Sequence, residues 1–255
     1  MKKNCSLLAV LTCSLVIWGC AETAKKIDKN AETSFVDVDS FESINRPIFE
    51  FNRVFDMAVL KPVAQGYGKI MPARGRVMVS NFVGNVKEPL TFFNSVVQAD
   101  PYNSFAALWR FLLNSTVGIG GLFDVATEIG LEDRETGFGD TLAIYGFDSG
   151  PYFVIPIIGP STTRDSFGRL ADLFSDPFSY TPNIIVYSII GVKTVDTRYH
   201  KIKLLDDVYA DSLDPYSTIR SGYLQHRSSA VEKTKKSRKK SQEKAFQEIP
   251  QSLSK

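Results

Sequence analysis

The stretch INRPIFEFNRVFDMAV, residues 44–59, decides the class of the chain. Ile44, Ile48, Phe51, Phe55 and Val59 recur at spacings of four, three, four and four, which places them on one stripe of an α-helix. Pro47 is expected near the start of that helix, where a missing N–H costs nothing, and Pro62 is expected to stop it. Further along, Val79, Phe82, Val83, Val86, Leu90, Phe93 and Val97 form a second stripe that stays in phase across Pro89, so a bend is expected there rather than an end. Phe105, Leu108, Trp109 and Leu112 line a third helix. Phe167, Leu170, Ala171 and Phe174 line a fourth, behind the cap candidates at 161–163. Asp-Pro occurs at 100–101, 176–177 and 214–215, each reading as an N-cap carboxylate followed by proline in the first helical turn, and not as a catalytic acid. The fold class is therefore all-α.

The helices are joined by glycine-bearing segments: Gly118-Ile119-Gly120-Gly121, Gly137-Phe138-Gly139, and the run from Tyr145 to Tyr152 that holds Gly146 and Gly150. Residues 152–158 (YFVIPII) and 184–192 (IIVYSIIGV) are too short to span a bilayer, which takes about 20 residues, and too apolar for ordinary surface loops. They belong to a soluble core or to a membrane interface. The same two readings hold for the aromatic stripes, because periodicity states which residues share a face and not what that face meets.

At the N-terminus, Lys2 and Lys3 precede an apolar run from Cys5 to Trp18, and Ile17-Trp18-Gly19-Cys20 resembles a lipobox. Residues 1–19 read as a lipoprotein signal peptide and Cys20 as the acceptor of lipid through its sulfur. Residues 20–40, polar and aperiodic, read as the tether, and 41–226 as the folded body. Residues 226–255 carry nine basic against three acidic residues, a net of +6, whereas residues 21–225 are net −6. The segment 227–255 reads as a frayed helix or a disordered basic tail, suited to anionic lipid headgroups or an acidic partner. Nucleic acid is not expected on the far side of a membrane.

Catalytic chemistry is poorly provided for. Cys5 and Cys13 fall in the signal segment and Cys20 is committed to lipid, so no disulfide or thiolate metal site is expected; His200 and His226 are the only imidazoles. There is no Gly-x-Ser-x-Gly elbow, no Walker lysine, no zinc-binding helix signature and no calcium loop. A hydrolase using Ser149 or Ser166 with His200 would lack a motif for its base and oxyanion hole. The expectation is a protein that is not an enzyme, with no cofactor and no metal.

Collinear motifs give the chain a resemblance to the MlaA (VacJ) family of outer-membrane lipoproteins. They include Ile44-Asn45-Arg46, Phe49-Glu50-Phe51-Asn52, Lys61-Pro62-Val63-Ala64, Ser80-Asn81-Phe82, Glu88-Pro89 and Gln98-Ala99-Asp100-Pro101-Tyr102. Arg110-Phe111-Leu112-Leu113-Asn114-Ser115, Gly118 to Asp124, Gly150-Pro151-Tyr152, Arg164-Asp165 and Asp214-Pro215-Tyr216 continue the set. The resemblance implies a ring of amphipathic helices in the inner leaflet of the outer membrane around a polar channel. It implies passage of mislocalised phospholipids from the outer leaflet to a periplasmic carrier, MlaC, with an OmpC-type trimeric porin as neighbour. It also implies that Gly146 and Gly150 belong to a hinge loop beside the channel, and that Phe51 and Asn52 belong to a first-helix motif near its opening. The alternative is a structural envelope lipoprotein or porin-associated scaffold that transports nothing.

The lipidation reading is tested by Cys20→Ser. Incorporation of radioactive palmitate is expected to vanish, because the thiol is the acyl acceptor; equal labelling of wild type and variant would contradict it.

Overall fold

The computed structural model describes residues 39–180 and 182–253; Cys20, the signal segment and nearly all of the tether lie outside them. The first helix, α1 (Glu42–Phe55), begins before Pro47, so Pro47 sits inside the helix instead of in its first turn. Nor does Pro62 end the helical run. A π-helical turn at Asp56–Leu60 precedes it, and α2 (Lys61–Ile70) takes Pro62 in its opening turn. Widening the turn relieves the clash that a proline ring makes with the preceding carbonyls. Pro72 sits ahead of α3 (Ala73–Val97), which contains Pro89 and continues past it.

α3 and α4 (Pro101–Thr116) are joined by a tight connection and pack along each other, with Val83 and Val86 buried on one and Ala106 and Ala107 on the other. Small side chains let the two backbones approach closely, which favours association where no hydrophobic drive separates helix from surroundings. Short helices α5 (Val125–Glu128) and α6 (Phe138–Ile144) follow.

The chain then departs from the all-helical expectation. β1 (Tyr152–Ile155) and β2 (Gly159–Thr162) form an antiparallel hairpin with Tyr152 opposite Thr162 and Ile155 opposite Gly159. The other edge of β1 is closed by two asparagines one heptad apart on α1. Asn45 donates to the Tyr152 carbonyl at 3.3 Å and accepts from the Val154 amide at 2.9 Å. Asn52 donates to the Ile155 carbonyl at 2.9 Å and accepts from the Ile157 amide at 2.7 Å. A side-chain amide offers the same donor and acceptor as a peptide, so the helix stands in for a third strand. Tyr152 and Val154 then join Phe49 and Tyr216 in a small apolar cluster, while Ile157 and Ile158 at the turn are exposed.

Thr162 caps α7 (Thr163–Ser175) by accepting from the Asp165 amide. α7 lies so close to α6 that a Cβ on Gly168 would strike the Gly139 backbone. A 3-10 turn (Pro177–Tyr180), α8 (Asn183–His200) and α9 (Ile202–Asp211) lead to α10 (Pro215–Leu253). All three Asp-Pro aspartates cap as expected. Asp100 accepts from the Asn103 amide, Asp176 from the Phe178 amide, and Asp214 from the Ser217 amide and hydroxyl.

At the C-terminal segment the structure differs from the sequence reading. α10 runs without a break through residue 226 to Leu253, where a frayed or disordered tail was expected. Tertiary contacts supply what propensity does not. Arg134 donates to Ser237 at 2.6 Å, the Tyr102 amide to Ser241 at 3.0 Å, and Gln242 to the Ala99 carbonyl at 2.8 Å.

Candidate functional site

The distribution of side chains is inverted relative to a water-soluble protein. Among the described residues, the largest fully buried side chains are Gln98, Asn45, Thr141, Thr162, Ser95 and Ser161, none of them apolar. The aromatic stripes instead face outward: Phe105 is 60% exposed, Phe174 73% and Tyr187 68%, and Phe51, Phe93, Phe167, Leu170 and Ile184 are exposed with them. Apolar surface on this scale marks contact with another apolar phase. No helix among the described residues is long and apolar enough to cross a membrane. Amphipathic helices with aromatic outer faces fit the plane of one leaflet.

The interior is held by directed polar contacts. Arg110, 4% exposed, donates from Nε to Glu88 at 2.5 Å and from Nη1 to the Thr127 hydroxyl at 2.9 Å and the Leu131 carbonyl at 2.7 Å. From Nη2 it donates to Asp124 at 3.2 Å. Asn114 donates to the same aspartate and accepts from the Ala126 amide, so one guanidinium and one amide seat residues 124–131 on α3 and α4. Elsewhere Arg198 forks onto Asp56 at 2.6 and 2.8 Å, tying α8 to the π-helical turn. Arg227 and Tyr223 of α10 both donate to Asp165 of α7, and Tyr216 donates to Asp39. Arginine suits these places because it stays charged and grips carboxylates with two donors.

An open cleft of about 1140 Å³ lies between α3, the 132–137 segment, α8 and α10. Lys87, Asn103, Asp133, Glu135, Asp172 and Lys193 are among its lining residues. Lys87 pairs with Glu135 at 2.6 Å. Burial, then the nearby Lys87, holds the Lys193 ammonium below its ordinary range. Burial raises the carboxyls of Asp133 and Asp172, with Glu135 adding to the rise at Asp133. A second cavity of about 400 Å³ lies under the 146–150 loop. Among the described residues no cluster of histidine, cysteine and carboxylate side chains could hold a metal ion.

Gly146 and Gly150 have φ of +90° and +66°, the left-handed region that glycine enters without strain, and Gly146 lines the smaller cavity. Phe51 is exposed and stacks on Phe55, with ring centroids 6.5 Å apart. Asn52 grips the hairpin, so the two residues of the first-helix motif point to different tasks. Sequence reasoning gave Glu88 and Arg110 only as motif residues without a role, and did not single out Lys193. A charged residue amid apolar positions in each of three helices, α3, α4 and α8, was the available signal. Ser149 and Ser166 show no approach to His200, whose Nδ1 lies 2.9 Å from the Asp196 carbonyl.

An inverted helical shell with a charged, polar interior defines a class of mostly helical proteins built to meet an apolar phase. The MlaA lipoprotein family model matches residues 37–230. The Escherichia coli intermembrane phospholipid transport system lipoprotein MlaA is 34% identical over 234 residues, 88% of this chain and 87% of that protein. The Haemophilus influenzae protein of the same name is 30% identical, covering 88% and 89%. An uncharacterized Rickettsia bellii protein is 42% identical over 197 residues, 76% of this chain and 77% of that one. A solved structure described as the structural basis for maintenance of bacterial outer membrane lipid asymmetry superposes with a TM-score of 0.69 at 34% identity, covering 76% of this chain and 98% of that one. The chain belongs to the MlaA lipoprotein family, and it is not an enzyme.

Arg110→Met should be among the most damaging single changes, because it leaves Glu88 buried without its partner, at about 3–5 kcal/mol. Glu88→Leu combined with Arg110→Met should recover part of that loss. Thermal unfolding in detergent measures both; a double variant no more stable than Arg110→Met alone would contradict the assignment.

Proposed function

We propose that this protein is a lipid-anchored channel of the outer membrane that takes mislocalised phospholipids out of the outer leaflet and passes them to a periplasmic carrier, so keeping the membrane asymmetric. The observation that carries the reading is the inverted side-chain distribution. Apolar faces meet acyl chains, while the buried polar groups offer a headgroup a path that avoids hydrocarbon, where the cost of unassisted crossing lies. The names of the Escherichia coli and Haemophilus influenzae relatives support the phospholipid as cargo. The description of the superposing structure supports lipid asymmetry as the purpose.

In this reading the helices of residues 41–226 form a ring in the inner leaflet, and the 1140 Å³ cleft belongs to its channel. Cys20 carries the acyl anchor, residues 20–40 tether it, and the basic segment 227–255 extends toward the periplasm. An OmpC-type porin holds the ring in place and an MlaC-type carrier receives the lipid. Asn52 and Phe51 sit at the channel opening, Asn52 fixing the hairpin and Phe51 facing lipid. No bond is broken and no cofactor is needed; direction comes from the downstream carrier or from the shape of the passage.

Gly146 and Gly150 act as the hinge of a loop beside the channel. A Cβ at Gly146 would meet nothing within 4 Å, so alanine there costs only the backbone strain, on the order of 1 kcal/mol. At Gly150 a Cβ would press on the Thr163 Cβ at 3.0 Å, which makes Gly146→Ala the cleaner variant. Cells carrying Gly146→Ala in place of the wild type should expose more phospholipid at the surface and become detergent-sensitive, at normal protein abundance. A deletion strain should do so more strongly. Normal surface phospholipid in the deletion strain would overturn the transport reading, whereas a normal Gly146→Ala strain would overturn only the hinge.

A further inference from the structure

We infer that the cavity beneath the 146–150 loop is a headgroup site for a zwitterionic glycerophospholipid, with the phosphodiester held by Arg164 and Lys235 and the ammonium by Asp148. The inference rests on the transport reading and narrows it to a substrate class. At about 400 Å³ the cavity is small for a two-chain lipid and ample for a phosphoamine headgroup, since pockets for drug-sized ligands run roughly 300–1,000 Å³. The acyl chains would leave it over the exposed Phe147, which also lines it.

Arg164 is the central donor. Its side chain is nine-tenths buried, it lines the cavity, and its Nε has no hydrogen-bond partner among the described residues. Its Nη1 donates to the Phe147 carbonyl at 3.2 Å, and its Nη2 lies 3.6 Å from Asp165 Oδ1. The guanidinium is thus only partly satisfied, and its loosest contact, from Nη2 to Asp165, leaves that end able to take a further acceptor. The residue stands in the first turn of α7, where the helix dipole also favours an anion. The amides of that turn are already taken, by the carbonyls of Pro151 and Ser149 and by the Thr162 hydroxyl. The guanidinium is therefore the group left to receive a phosphate.

The remaining charges select the headgroup. Arg227 is committed to Asp165 at 2.7 Å and Asp140 at 3.0 Å, and Glu232 to Lys236 at 2.7 Å. Lys235 and Asp148 line the same cavity, both exposed, and neither has an ion-pair partner among the described residues. Two cationic groups and one carboxylate complement one phosphodiester and one ammonium. A headgroup that is only anionic would leave Asp148 facing it unpaired, and a neutral lipid would satisfy none of the three.

The site and the hinge loop share a residue. Arg164 holds the loop twice, by its side chain at the Phe147 carbonyl and by its amide at the Ser149 carbonyl, 3.1 Å.

The test uses the full mature chain held in an uncharged amphipathic polymer and titrated calorimetrically. The probes are dihexanoyl phosphatidylethanolamine, dihexanoyl phosphatidylglycerol, dihexanoylglycerol and free phosphoethanolamine. Phosphatidylethanolamine is expected to bind most tightly. Lys235→Gln and Arg164→Gln should each weaken it about tenfold, the usual worth of a charge-assisted hydrogen bond. Asp148→Asn should remove the preference over phosphatidylglycerol. Lys235 and Asp148 make no structural contact to lose, so their variants should unfold at the wild-type temperature. Wild-type affinity in both the Lys235 and Arg164 variants would overturn the site and leave transport standing. Phosphatidylglycerol binding as tightly as phosphatidylethanolamine would overturn the zwitterionic assignment. Free phosphoethanolamine binding as well as the lipid would reassign the site to soluble phosphoamines. A wild-type protein that binds neither phospholipid would overturn the transport reading and this site with it.

Discussion

Arg110 occupies the position on which the rest of the structure depends. In a water-soluble helical protein the space between α3 and α4 would be filled by leucine and valine, and burial of apolar area would hold the helices together. Here many apolar faces are turned outward, so little of their area is buried between the helices. Cohesion must come from close backbone approach and from hydrogen bonds whose alternative is an unpaired polar group. A guanidinium that donates to Glu88, Asp124, Thr127 and the Leu131 carbonyl meets that need at one point. The Arg198–Asp56 and Arg227–Asp165 forks repeat the solution at the π-helical turn and along α10.

The same constraint explains the hairpin. A two-stranded ribbon has two open edges, and an unpaired edge is costly wherever water is scarce. Asn45 and Asn52 close one edge with side chains, which leaves α1 free to present Ile44 and Phe51 outward while its other face grips backbone. Structure and function meet here: the hairpin positions the start of α7, and with it Arg164 and the glycine loop.

Much of the helical order could be read from the residues. The Asp-Pro pairs at 100, 176 and 214 are local signals whose capping geometry needs no tertiary information, and each forms as expected. The stripes through Phe51, Phe105 and Phe174 were equally legible as stripes. Their direction was not, because a helical wheel is the same whether its apolar side meets a core or a lipid; only the burial of Gln98, Asn45 and Arg110 decides it. The strand at 152–155 was hidden by its length and by Pro156, and its stabilisation is non-local, from asparagines more than a hundred residues earlier. The long α10 was hidden for a related reason. Its lysine-rich composition reads as solvated tail, yet Ser237, Ser241 and Gln242 dock on residues 99–134. Of the site residues, the glycines were visible through their loop, whereas Arg110, Lys193 and Arg164 acquire meaning only from what the fold places around them.

The central claim, that the outward apolar faces contact acyl chains, can be measured at a single side chain. Trp18 and Trp109 are the two tryptophans, and of these Trp109 is the one among the described residues, 41% exposed on the outer face of α4. Mature protein without residues 1–19 would be reconstituted into vesicles whose phospholipids carry bromine on the acyl chains, and its tryptophan emission recorded. The emission should be strongly quenched by the brominated chains and nearly untouched by aqueous acrylamide. Acrylamide quenching as efficient as for free tryptophan, with no effect of the brominated lipid, would place that face in water and contradict the account.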